Sequence, residues 1–160
     1  MTHIRSPRAI GALVVLLLLG GRGPLAQNTD KNSLARVKSL KCTFSVYASG
    51  NWKTAEPQGQ IKAEDVALEI DGIDAEEGTA QIVGAGAIHI TALLTGSSLH
   101  LLERSMAGNL TVTTVFAQAN AKGKLRAVRS QHDYIQMNIP GGYVSEPTVT
   151  QRYGECEPRQ

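Results

Sequence analysis

Few residues of this chain have the type and spacing to do chemistry. The two cysteines, Cys42 and Cys156, lie far apart, and neither has a Cys or His neighbour at metal-ligand spacing. Their expected chemistry is therefore one disulfide rather than a metal site. His89, His100 and His132 are scattered, and as strand residues they are ordinary exposed polar side chains. The run Asp71-Gly72-Ile73-Asp74-Ala75-Glu76-Glu77 is rich in acids. It lacks the alternating ligands and central glycine of an EF-hand loop, so a solvated turn is expected there. Ser97, Ser98 and Ser130 sit in no Gly-x-Ser-x-Gly elbow. Gly84-Ala85-Gly86 lacks the third glycine and the following helix of a dinucleotide site. Glu76 and Glu77 are adjacent and, if extended, point opposite ways, which rules out a glycosidase pair. The expectation is a protein with no catalytic residue, no metal and no cofactor.

The one unusual constellation needs strands to assemble it. After a polar stretch over 27–39, with room for a short helix, alternation takes over. Leu40, Cys42, Phe44 and Val46 alternate with Lys41, Thr43, Ser45 and Tyr47. Further strands are expected at Val66 to Ile70, Thr79 to Val83, Ala87 to Leu94, Ser98 to Arg104, Leu110 to Gln118, Lys124 to His132, Tyr134 to Ile139 and Val149 to Tyr153. Turn signals separate them about every ten residues, and no segment carries a helical stripe. The fold class is all-β: an antiparallel meander of about eight to ten strands, closed into a small up-and-down barrel. A Cys42–Cys156 bridge would join its first strand to its last.

Hairpin registers then place the charges. With Gly96-Ser97 as a two-residue loop, Leu94 faces Leu99 and Ala92 faces Leu101. The apolar face of this hairpin is the core side, and Glu103 falls on it. A second hairpin folded about Gly108-Asn109 puts Glu103 opposite Thr114 and Leu101 opposite Phe116. A four-residue loop at 120–123 puts Thr114 opposite Arg129. Glu103, Thr114 and Arg129 would then lie side by side, facing inward. A buried carboxylate needs a partner, and an inward arginine supplies it. Two readings stay open: a structural ion pair near one barrel end, or a polar anchor on the floor of a ligand cavity. A one-residue register slip would undo either.

Residues 1–26 read as a secretory signal peptide: Arg5 and Arg8, an apolar run from Ile10 to Leu19, then Leu25-Ala26 before Gln27. Ten residues rise about 15 Å as a helix, half of a hydrocarbon core, so no stable membrane span is expected. Cleavage after Ala26 removes three arginines and no acid, turning a formal charge of +2 into 13 bases against 14 acids. The mature protein then shows no electrostatic footprint for nucleic acid. The division is a signal peptide over 1–26, a polar segment over 27–39, a β-barrel over 40–156 and a tail over 157–160. A secreted or periplasmic location follows, and it makes the disulfide reading consistent.

Two resemblances arise on particular residues. Gly50-Asn51-Trp52 resembles the Gly-x-Trp of lipocalins and other calycin barrels, where the tryptophan closes one barrel end. Here a strand precedes the motif, which departs from the lipocalin order. Leu101-Leu102-Glu103, Gly108-Asn109, Thr113 to Ala117, Ala127-Val128 with His132, and Gly154-Glu155-Cys156 resemble a group of small secreted bacterial proteins of unknown function. That second resemblance implies a secreted disulfide barrel and no activity. The functional expectation is non-enzymatic binding of a small hydrophobic or amphipathic ligand in the barrel. Glu103, Thr114 and Arg129 would be its polar contacts, and Trp52 and Phe116 part of the wall. The alternative is an interaction module that uses outer strands or loops against an envelope or extracellular protein.

Overall fold

Among the described residues, alternating β-branched, aromatic and small polar residues build eight strands, and one short helix precedes them. The computed structural model describes residues 31–52, 55–84, 86–106 and 108–159. The segment read as a signal peptide lies outside the described residues. Helix α1 (Lys31–Ala35) is followed by β1 (Leu40–Asn51), β2 (Gln58–Asp74), β3 (Thr79–Ile82), β4 (Ile88–Thr95), β5 (Ser98–Arg104), β6 (Leu110–Ala119), β7 (Leu125–Ile139) and β8 (Gly142–Pro158). Each strand pairs antiparallel with the next, and β8 returns to β1, so the eight strands close into a ring. The expected strands Lys124 to His132 and Tyr134 to Ile139 are one strand, β7. Strand β8 runs through Pro147, which lies beyond the last β1–β8 pair, Asn51 with Thr148. There β8 has a neighbour on one side only, and such edges tolerate proline. The tail expected over 157–160 begins as strand, through Pro158.

The Gly96-Ser97 hairpin forms as the sequence implies, with Leu94 opposite Leu99 and Ala92 opposite Leu101. Gly96 takes a φ of +58°, while no residue other than glycine has a positive φ among those described. That combination is a II′ turn, whose twist matches the flanking strands. The next two registers differ from expectation. The β5–β6 loop is five residues, not two. The Ser105 amide donates to the Asn109 carbonyl (3.0 Å) and the Ser105 hydroxyl accepts from the Asn109 amide (3.1 Å). Glu103 therefore faces Thr111, not Thr114, and Ser98 faces Phe116. The β6–β7 loop is also five residues, because the Asn120 side chain accepts from the Lys122 and Lys124 amides. Beyond that loop, a register irregularity between Val115 and Ala119 brings Arg129 opposite Thr113. An odd shift turns β6 over: Thr111, Thr113, Val115 and Ala117 are buried, and Thr114 and Phe116 face outward.

A bulge in β1 makes the other correction. Pairing with β8 runs Cys42–Cys156 and Phe44–Gly154, then slips at Ser45 to Val46–Tyr153 and Tyr47–Arg152. Val46, expected on the apolar inner face with Phe44, points out, and Tyr47 takes the inner place. Gly154 sits against this bulge. A Cβ there would overlap the Thr43 carbonyl oxygen and lie 2.7 Å from the Phe44 Cα. Gly154→Ala is expected to destabilise by about 3 kcal/mol, because backbone must move to admit it. Urea unfolding checks this against Gly50→Ala, whose Cβ meets nothing nearer than 3.9 Å. An equal effect of the two substitutions would contradict the contact.

Inward residues of paired strands fall into layers. Cys42, Cys156, Leu125 and Leu68 form the first. Phe44, Gly154, Ala127, Val115 and Leu99 form the second. Beneath them Leu34 and Val37 close the lower end, buried with Leu40, Ile70 and Ile73. The segment over 27–39 thus contributes to the core, although its composition reads as polar. The disulfide joins directly opposed residues with Cα atoms 4.0 Å apart. Outside this apolar half the surface is charged: Lys41 with Glu69, Arg159 with Glu69, Lys124 with Glu155 and Glu157. At the lower turn, Asp74 accepts from the amides of Glu76 and Glu77, both 3.0 Å. Those two bonds, Glu77 first, hold its carboxyl below the usual range, helped by Lys38.

Candidate functional site

Above the second layer the interior changes character. The third layer is Leu101, Thr113, Arg129, Arg152 and Tyr47, and the fourth is Glu103, Thr111, Gln131, Thr150 and Ser49. Two arginines therefore oppose each other on β7 and β8. Each is held by its own carboxylate, which removes their mutual repulsion. Arg129 donates to Glu103 at 2.7 Å and to the Thr113 hydroxyl at 3.0 Å. Arg152 donates to Glu64 at 2.8 Å and to the Gln131 amide oxygen at 3.3 Å. The four charged side chains are only 16–23% exposed. Arg152 also lies over the Tyr47 ring at 5.3 Å, with Lys62 over the same ring at 4.7 Å. Gln131 passes the network on, its amide donating to Asp133 at 2.7 Å.

The outside of the ring at this level is the reverse. Val46, Tyr153, Val128 and Thr114 form one outward row across four strands. Val46, Tyr153 and Val128 of this row, with Phe116, floor a groove of about 640 Å³, edged by Thr43, Ser45, Gln118, Asn120, Arg126 and Glu155. Val46 and Phe116 are 37% exposed and Tyr153 43%. One bulge and one register explain this. The bulge sends Val46 out, and the five-residue β5–β6 loop sends Phe116 out. The polar edge is tied down: Arg126 donates to Gln118 at 3.4 Å, and Asn120 to Glu155 at 2.5 Å. Just above, the Tyr153 hydroxyl donates to Gln151 at 2.5 Å. The β1 bulge is thus a boundary. Below it apolar side chains face in and charges out; above it charges face in and apolar side chains out.

The residues singled out from sequence divide accordingly. Glu103 and Arg129 come together, because the two register shifts are both odd and leave them on one face. Thr113 takes the bridging place expected for Thr114. Thr114 instead meets His100 on the outer face, its hydroxyl 3.1 Å from the His100 Nδ1. Phe116 belongs to the outer groove, not to an inner wall. Trp52 follows β1 at the upper rim, 51% exposed. Cys42 and Cys156 form the disulfide. Sequence reasoning missed Tyr47, Glu64, Arg152, Gln131 and Asp133. Their signal was the polar period-two row Arg129, Gln131, Asp133, which an apolar-face-in rule discards.

Comparison with protein-family models, with curated proteins and with solved structures found no match.

Proposed function

We propose that this protein is an exported, non-enzymatic binding module built as a small up-and-down barrel. Its working surface is the outer groove across β6, β7, β8 and β1, which holds an apolar stretch of an envelope or extracellular protein. One observation carries this: Val46, Phe116, Val128 and Tyr153 gather in a single solvent-open groove. Contiguous apolar surface of this kind marks interaction sites on soluble proteins. Packing supports the outer face over the interior as the place for an apolar partner. Inside, Phe44, Leu99, Leu101 and Val115 already fill the apolar half, and the charges above them cover one another. The disulfide supports an oxidising compartment.

The test is a pair of outer substitutions, Phe116→Ser with Tyr153→Ser. Both residues are partly exposed, so unfolding midpoints are expected to shift by only about 0.5 kcal/mol each. Affinity purification from the native host after mild cross-linking is expected to recover a stoichiometric partner with the unsubstituted protein and lose it with the double variant. Equal recovery from both would overturn the proposal.

A further inference from the structure

Among the described residues, Asp133 is a carboxylate of the upper interior with no cation against it. Glu103 has Arg129 and Glu64 has Arg152. Asp133 has only the neutral Gln131 amide, on Oδ2, while its Oδ1 is buried with no hydrogen-bond partner. A second buried atom without a partner lies beside it. The Thr150 hydroxyl has none, and Thr150 is only 7% exposed. Register places the two together. Gln131 faces Thr150 and Asp133 faces Thr148, so Asp133 and Thr150 are diagonal neighbours on the inward side of β7 and β8. Glu146 follows two positions along the inward side of β8 and adds negative charge. Lys62, an exposed residue of β2, is engaged over Tyr47.

Buried polar atoms are satisfied in folded proteins, and a buried charge is paired. From these two requirements we infer that the interior between β7 and β8 binds a small primary ammonium ligand. Its positive charge balances Asp133. One N–H donates to Asp133 Oδ1 and a second to the Thr150 hydroxyl oxygen. A quaternary ammonium has the charge but no N–H, and water has hydrogen-bonding capacity but no charge. Methylammonium is the smallest probe that has both. The inference is independent of the outer groove.

The experiment is a titration of the full chain with methylammonium chloride, followed by NMR at the Gln131 side-chain amide and the Thr150 methyl. Tetramethylammonium chloride at equal ionic strength is the control. The expected result is a saturable one-to-one shift with methylammonium and none with tetramethylammonium. Affinity should fall about tenfold or more in Asp133→Asn, and by about threefold or more in Thr150→Val, each having lost one charge-assisted or neutral hydrogen bond. A shift that never saturates, or one that tetramethylammonium reproduces, would mean that water alone satisfies these atoms and would overturn the inference. So would unchanged affinity in Asp133→Asn. If that variant does not fold, Thr150→Val and the tetramethylammonium control decide.

Discussion

Replacing Cys42 and Cys156 together by alanine is expected to destabilise the protein by about 5 kcal/mol. The bridge closes a loop with a sequence separation of 114, and the chain-entropy account gives about 4.7 kcal/mol for a loop of that size. Loss of packing adds to this, because both cysteines are fully buried in the apolar half of the core. The secondary structure should survive. Strands β1 and β8 pair along their length from Leu40–Pro158 to Asn51–Thr148, and that ladder does not depend on the sulfur bond. Far-ultraviolet circular dichroism should therefore keep its strand signature while the guanidinium midpoint falls. Reductant should reproduce the loss in the unsubstituted protein. A midpoint indifferent to both changes would show that the ring is held by its ladder alone.

The second large effect concerns Glu103 and Arg129. The pair is about four-fifths buried, and Arg129 also holds Thr113. Removing one partner leaves the other charge in a poorly solvated interior. Glu103→Leu and Arg129→Met are each expected to cost about 2–4 kcal/mol, somewhat below the range for fully buried pairs. Replacing both, with Glu103→Leu and Arg129→Met, should recover most of that, since desolvation and attraction are then removed together. The double-mutant cycle should give a coupling of about 3 kcal/mol or more by urea unfolding. Additive single effects would mean that the two charges are separately solvated. The design differs from surface pairs such as Lys41 with Glu69, where removal should change little.

Much of the ring was legible because its signals are local. Gly96-Ser97 fixes a register through a turn that only glycine enters easily at its first position. Cys42 and Cys156 fall at paired ends of the meander. What was not legible depends on loop closure, on the β1 bulge and on the irregularity between Val115 and Ala119. Gly108-Asn109 reads as a two-residue turn, yet the Ser105 side chain and backbone close a wider loop that takes in both residues. The odd shift that follows sends Phe116 outward. The slip at Ser45 does the same to Val46. Neither event leaves a mark in the apolar pattern, since that pattern presumes an apolar interior throughout. The chain has an apolar interior only below the bulge. The candidate site was half legible for a related reason: Glu103 and Arg129 stand out as charges on an inward face, whereas Arg152 and Glu64 lie inward by unbroken alternation along β8 and β2 that an apolar-face-in rule discards, and only Tyr47 needed the bulge to turn in.

The central claim is that the outer groove, not the ring's far side, meets a partner. Placing a photo-reactive phenylalanine analogue at position 116, and separately at His89, tests it in the native host. Position 116 lies in the groove, and His89 is exposed on β4, outside it. Irradiation is expected to give one discrete protein adduct from position 116 and none from position 89. No adduct from position 116, or the same adducts from both positions, would contradict the account.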